Sequence, residues 1–139
     1  MVILAYCNSN GQNSDLLEEA VINKSIELGF EYSIFPETKI HPQFQPDIMD
    51  SLLKMNKDII VCTHSELIML RGLRRIDLDE ITKEDFKIIQ YVKSIHKDNN
   101  SYWYNVRFNS KGEIGRFKGG VFEQSFNEIF KIGDIEPLK

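Results

Sequence analysis

Short apolar runs, each followed by a polar loop and an amphipathic helix, constrain the fold of this chain more than any other feature. Runs of about six residues at 1–6 and 58–63 have the length and composition of strands that are buried on both faces. Alternation of strands with helices predicts a mostly parallel sheet with helices on both faces. We predict strands at 1–6, 30–35 and 58–63, and helices at 14–28, 47–55 and 66–76. The first two helices are expected to turn an apolar face inward, formed in the first by Leu16, Leu17, Ala20, Val21, Ile26 and Leu28, and in the second by Ile48, Leu52, Leu53 and Met55.

The pattern changes after residue 77. Residues 86–95 and 101–109 alternate apolar and polar side chains and flank a turn-rich link at 96–100, which predicts an antiparallel hairpin at one edge of the sheet. A last helix is expected at 122–132. The 139 residues are enough for one domain, and we treat 1–139 as a single unit.

Composition excludes several classes of function. A net charge of −4 gives no support for a broad nucleic-acid surface, although Tyr102, Trp103 and Tyr104 would allow an accessory role through an aromatic face. No apolar run reaches the ~18 residues of a membrane span. Cys7 and Cys62 end apolar strands and are expected to be reduced core thiols of a cytoplasmic protein. The histidines lack companions at metal-ligand spacing, so we expect neither a metal nor a cofactor.

One segment carries a specific motif. The buried strand at 58–63 runs directly into Thr63-His64-Ser65-Glu66, and the helix that follows is rich in arginine at Arg71, Arg74 and Arg75. This arrangement resembles the switch-histidine segment of the ABC-type ATPases in the large AAA-like family, which have the P-loop NTPase fold. The resemblance implies that the ring of His64 reaches toward a nucleotide γ-phosphate.

The polar loop at 8–14 is similar to the phosphate-binding loop of that family, but it lacks the residues that bind the phosphates and Mg²⁺ there. On this alignment Gly11 is retained, Gln12 stands where the family has lysine, and Asn13 stands where it has a Mg²⁺-binding hydroxyl. Loss of the lysine removes a charge-assisted contact to phosphate worth roughly 1.5–3 kcal/mol. A second alignment places Ser14 on the serine of the family's signature loop, and both alignments stay open.

The second strand resembles the family's Walker B segment in the same incomplete way. Pro36, Glu37, His41, Pro42 and Gln45 match the motif that follows this strand in relatives. The two acidic positions that hold Mg²⁺ and activate water fall on the apolar residues at 34 and 35. The likeness returns at 112–126, and the long insertion that relatives carry between these motifs is absent. The chain therefore resembles a reduced ABC-type ATPase domain without working Walker A and Walker B residues.

The family resemblance implies a strand order of 30–35, 58–63, 1–6, 86–95 and 101–109, with the first strand central. It implies a pseudo-ATPase that binds a protein, for example a phage or mobile-element factor that docks on or mimics a true ABC-type ATPase, or that forms a homo-oligomer. The alternative is a nucleotide-responsive subunit whose ATPase site a partner chain completes. The residues expected to take part are Gly11, Gln12, Asn13 and His64 toward nucleotide, and Phe44, Gln45, His64, Arg71 and Arg74 toward a partner.

Overall fold

Strands and helices alternate along the chain in the order that the sequence predicts. A computed structural model describes residues 1–7, 14–35, 40–92 and 102–116. A 3₁₀ turn at Pro42–Phe44 precedes the second helix. The elements are β1 (Val2–Cys7), α1 (Ser14–Leu28), β2 (Glu31–Ile34), α2 (Gln45–Lys54), β3 (Ile59–Cys62), α3 (Glu66–Asp77), β4 (Phe86–Val92) and β5 (Tyr102–Val106).

The five strands form one mixed sheet in the order β2-β3-β1-β4-β5. Three neighbouring pairs are parallel, and β1 lies at the centre with Val2 opposite Ile59 on one side and opposite Phe86 on the other. Strands β4 and β5 are antiparallel, so the hairpin extends one edge. The predicted strand order with a central first strand is confirmed. The apolar strand β1 takes this place because a central strand is covered on both faces.

Helices pack against both faces of the sheet and form two separate cores. On one face α2 and α3 bury Met49, Met69 and Leu73 against residues such as Leu4 and Ile88. On the other face α1 covers a smaller core. Its buried members are Ile3, Ala5, Leu17, Val21, Ile60, Cys62 and Ile89.

The inward face of α1 differs from the predicted one near the end of the helix. We predicted Ile26 and Leu28 to point inward, but they are 74% and 41% exposed, and Ser25 is buried instead. Each residue turns a helix by about 100°, so Ser25 lies on the same face as Val21 and Ile26 does not. The buried hydroxyl of Ser25 donates to the carbonyl oxygen of Ile22 at 2.6 Å, which satisfies it within the helix.

Helix α2 also begins and ends earlier than predicted. It starts at Gln45 and buries Gln45, Met49 and Leu52, a spacing of four and three residues along one face. Met55, which we predicted to point inward, follows the helix and is 47% exposed. Ile48 and Leu53 are partly buried against the core, as expected.

The aromatic residues of β5 do not form one face. Tyr104 packs against the core under α2 and α3, whereas Trp103 packs on the opposite side of the sheet beside Tyr91, with 5.0 Å between ring centroids. The expected aromatic face is wrong because side chains alternate along a strand. The link at 96–100 and the helix expected at 122–132 lie outside the described residues. Within the described ranges, no helix has the length and apolar character needed to cross a membrane.

Candidate functional site at the carboxyl edge of the parallel strands

The carboxyl ends of β1, β2 and β3 lie at the same edge of the sheet, because these strands are parallel. Such an edge is where ligands bind in open α/β sheets. We call the described residues of this edge, 40–45 and 63–66, the carboxyl-edge site. Of the residues expected toward nucleotide, His64 lies here, whereas Gly11, Gln12 and Asn13 lie outside the described residues.

His64 lies between two anchored neighbours. Thr63 is 1% exposed and donates its backbone N–H to the carbonyl oxygen of Ala5 at 3.1 Å. Ser65 is 6% exposed, and its N–H donates to Thr63 Oγ1 at 2.9 Å. His64 itself is exposed. The loop thus holds the backbone on both sides of His64 and presents this residue at the surface.

Ser65 joins three elements beneath this loop. Its carbonyl oxygen accepts from the Tyr6 hydroxyl at 2.6 Å, and its own hydroxyl donates to Gln45 Oε1 at 2.6 Å. The same hydroxyl oxygen accepts from the N–H of Ile68 at 3.4 Å and so caps the start of α3. Gln45 Nε2 donates to the carbonyl oxygen of Ile40 at 3.1 Å. The Tyr6–Ser65–Gln45 network therefore connects β1, the His64 loop and the segment that leads into α2.

Gln45, which we predicted to contact a partner, lies within this network. It is 7% exposed, and its side chain bonds to Ser65 and Ile40. A side chain that satisfies buried groups within the fold holds the loop in position.

Sequence reasoning missed two polar residues under this edge. Tyr6 and Gln90 are neighbours across β1 and β4, and both are buried, at 1% and 0% exposure. The signal was present in the sequence, since both residues interrupt apolar strands on the face that Leu4 and Ile88 share. Buried polar side chains of this kind require partners, and they fix the geometry of the edge above them.

The 3₁₀ turn at Pro42–Phe44 presents an aromatic side chain at the same edge. His41 caps the turn, with its Nδ1 accepting from the N–H of Gln43 at 3.1 Å. The His41 and Phe44 rings pack edge to face with centroids 6.2 Å apart. Phe44 is 55% exposed, so its ring is accessible at the surface of this edge.

Arg71 is engaged within the fold. Its Nη1 lies 2.6 Å from Asp50 Oδ2, and Arg75 binds the same carboxylate through Nε and Nη2, both at 3.0 Å. Arg75 also reaches Glu80 at 2.7 Å. We call this set of four residues the Asp50 cluster, and it joins α2 to α3. Arg74, in contrast, is 65% exposed and pairs only locally with Asp77 among the ion pairs of the described residues.

The Asp50 cluster shifts the titration of its members. The hydrogen bond from Arg75 lowers the pKa of Asp50 below its ordinary value of 3.8. Partial burial opposes this with a smaller effect, and the charges of Arg71 and Arg75 lower the pKa further. Hydrogen bonding to Asp50 and Glu80 raises the pKa of Arg75, so this side chain stays charged. A lowered folded-state pKa stabilises the protein above the unfolded value, and the benefit is lost as the pH falls through the folded value.

Asp50→Asn is therefore expected to lower the free energy of unfolding at pH 7, and the deficit should shrink as the pH falls below about 4. Urea unfolding of wild type and variant between pH 7 and pH 3 measures this. Asp47→Asn is the control, because Asp47 is 67% exposed and lies 3.8 Å from Arg71. Its effect should stay within about 0.5 kcal/mol. A deficit for Asp50→Asn that is independent of pH would contradict the assignment.

The positions expected for the Walker B acids carry no ligand atoms. Phe35 is 5% exposed and packs in the core under α2 and α3, while Ile34 is 45% exposed on the edge strand β2. Within the described residues no group of three or more His, Cys, Asp or Glu could hold a metal ion. The described part of the edge therefore presents the imidazole of His64 and the exposed ring of Phe44. It has no pair of carboxylates at the end of β2.

Comparisons of this chain with protein-family models, with curated proteins and with solved structures find no match.

Proposed function

We propose that this chain is a non-catalytic, ABC-ATPase-like domain that acts by binding another protein through the carboxyl-edge site. One combined observation supports the proposal. The strands have the order that the resemblance implied, and the residues at the end of β2 are apolar. A fold that keeps this edge but has Ile34 and Phe35 in place of carboxylates retains a binding surface without the means to hold Mg²⁺.

The proposed partner is a true ABC-type ATPase, and the proposed setting is cytoplasmic, in a phage or a mobile element. Proteins of the resembled family meet each other across nucleotide at this same edge, so a copy without catalytic residues would compete for or scaffold that contact. A second copy of this chain is the simplest other partner. Exposed Phe44 is the proposed anchor, because aromatic side chains dominate the energetics of interfaces.

Site-specific photo-crosslinking tests this proposal. A benzophenone side chain at position 44 or 64 is expected to capture a protein with an ABC-type ATPase domain in cells, because both positions are exposed at the carboxyl-edge site. The same group at Met55 is the matched control and should not capture this protein, because Met55 is 47% exposed but lies beyond the far end of α2. Mass spectrometry identifies the product. Capture at position 55 but not at 44 or 64, or a captured protein without an ATPase domain, would contradict the proposal.

A second candidate is a composite ATPase site that a partner completes with its own lysine and acids. The anchored and exposed position of His64 favours it, since a γ-phosphate sensor must be held at the surface that meets the partner. Once the partner is purified, His64→Ala separates the two candidates. Loss of ATP turnover by the complex with unchanged binding supports the composite site, whereas unchanged turnover supports binding alone.

A further inference from the structure

Strand β2 has a neighbour on one side only. It is the last strand of the sheet in this direction, and within the described part of the chain no strand lies beyond it. All four residues of β2 are exposed, whereas all four residues of its neighbour β3 are buried. An edge strand presents a row of unpaired backbone N–H and C=O groups, which are a template for a further strand.

The backbone groups of Tyr32 and Ile34 point to the outer side of β2. The N–H groups of Glu31 and Phe35 donate inward, to carbonyl oxygens along β3, at 3.0 and 2.9 Å. Because successive residues of a strand direct their backbone groups to opposite sides, Tyr32 and Ile34 direct theirs away from β3. The outer edge therefore presents two donors and two acceptors.

Tyr32 and Ile34 also carry the large apolar side chains of this edge. They lie opposite Ile60 and Cys62 in the β2–β3 register, so they project on the face of the sheet that α1 covers. Both are well exposed, at 48% and 45%. Lysine and proline, which commonly prevent edge strands from pairing, are absent from β2.

We propose that two copies of this chain associate through β2 as antiparallel strands, with the two-fold axis at Ser33. Tyr32 of each copy then lies opposite Ile34 of the other, and each such pair exchanges two backbone hydrogen bonds. This pairing satisfies every outward N–H and C=O group of both strands. It also places an aromatic ring beside a β-branched side chain twice, which is a favourable cross-strand combination.

The neighbouring antiparallel registers leave backbone groups without partners. An axis at Tyr32 places Ile34 opposite Phe30, whose N–H already donates to a carbonyl oxygen of α1 at 2.9 Å. An axis at Ile34 places Tyr32 opposite residue 36, a proline without an N–H group. The axis at Ser33 is therefore the register that satisfies this edge.

Charge and helix packing are compatible with this dimer. Glu31 lies opposite Phe35 of the second copy, so the two Glu31 carboxylates stand about 14 Å apart along the sheet, where salt screens their repulsion. Helix α1 packs against β1, β2 and β3, so its axis runs near β3, the middle strand of the three. The two copies of α1 are then about 14 Å apart, which exceeds the 8–10 Å between packed helices and leaves room for the side chains of Tyr32 and Ile34.

A strand of four residues forms a small interface, so we expect a dissociation constant on the order of 0.1 mM. The dimer is independent of the function proposed for the carboxyl-edge site, because it uses the side of β2 and not the loops beyond the ends of the strands.

Sedimentation equilibrium of the full chain tests the pairing. Between about 10 µM and 1 mM the average mass should rise from that of a monomer toward that of a dimer. Tyr32→Lys/Ile34→Lys should raise the dissociation constant at least about tenfold, because it places lysines opposite each other across the axis. Ile26→Lys/Leu28→Lys is the matched control, since it adds the same charge at two exposed apolar residues of α1. Its effect should stay within about twofold.

A disulfide at Ser33 tests the register. In Ser33→Cys the two thiols lie on the axis, where residues of a non-hydrogen-bonded pair have Cα atoms about 4.5 Å apart, within the range of disulfides. Mild oxidation should therefore yield a covalent dimer. Ser51→Cys, at an exposed position of α2, is the control and should not dimerise faster than wild type, which accounts for the native cysteines.

Three results would overturn the proposal. They are a wild-type chain that stays monomeric up to about 1 mM, equal loss of association in the two lysine variants, and crosslinking at position 33 no faster than at position 51. Circular dichroism shows whether each variant keeps the fold. Wild-type sedimentation and the crosslinking at Ser33 decide the question even if the Tyr32→Lys/Ile34→Lys variant does not fold.

Discussion

Gly112→Ala is expected to lower the free energy of unfolding by about 3 kcal/mol. Gly112 has a φ of +72°, a backbone conformation that costs other L-residues about 1–2 kcal/mol. An added Cβ would also overlap the carbonyl oxygen of Leu73 in α3. The turn has little freedom to move away, because Asn109 Oδ1 accepts from the N–H groups of Lys111 and Glu113, both at 3.0 Å. Equilibrium unfolding in urea measures the loss.

Gly29→Ala is the matched control for this prediction. Gly29 ends α1 with nearly the same φ, +71°, but an added Cβ would meet no atom within 4 Å. Gly29→Ala should therefore lower the free energy of unfolding by about 1 kcal/mol, the cost of this backbone conformation alone. If the two variants lose the same stability, the contact between the 109–113 turn and α3 is looser than described.

Ser65→Ala is expected to lower the free energy of unfolding by about 2–4 kcal/mol. The hydroxyl caps α3, which contributes about 1 kcal/mol, and it donates to the buried Gln45 Oε1, which would otherwise lose a partner at a cost of about 1–3 kcal/mol. Thermal or urea unfolding measures the change. The variant should also loosen the loop that presents His64, because the anchor on one side of it is removed.

A double-mutant cycle isolates the bond between Ser65 and Gln45. In a Gln45→Leu background, Ser65→Ala should cost about 1–2 kcal/mol less than in wild type, since no buried amide remains to be satisfied. Costs that simply add in the double variant would show that the two side chains do not depend on each other.

The sheet could be predicted well from the sequence because its strands carry local signals. Residues 1–6 are a continuous apolar run, and 58–63 contain the apolar run Ile59–Cys62; the strands observed are Val2–Cys7 and Ile59–Cys62. The ends of the helices were less predictable. Leu28 and Met55 are apolar, but they lie where a helix ends and are exposed there, so their apolar character did not predict their burial.

The candidate site was only partly predictable. The position of His64 between a buried strand and a helix followed from local pattern, and it is exposed at that position. The bonds that hold it there join residues far apart in the chain, such as Tyr6 with Ser65 and Gln45 with Ser65. The pairing of Arg71 with Asp50, 21 residues apart, likewise depends on how α2 packs on α3, which no local pattern specifies.

Because the bonds to Asp50 occupy Arg71, Phe44 and His64 are the stronger candidates for contact with a partner. Truncation of an exposed aromatic anchor such as Phe44 weakens an interface by about 1–2 kcal/mol or more when it lies at the centre. Truncation of Arg71 would combine any such loss with a loss of the α2–α3 contact, so stability must be measured beside affinity for that variant.

Calorimetric titration of the purified chain with Mg-ATP tests most directly the proposal that this protein works without nucleotide chemistry. We expect no binding in the low micromolar range and no turnover, because Gln12, Ile34 and Phe35 supply none of the charges that hold a Mg²⁺-triphosphate. A dissociation constant in the low micromolar range, or ATP turnover that the substitution His64→Ala abolishes, would contradict the proposed function.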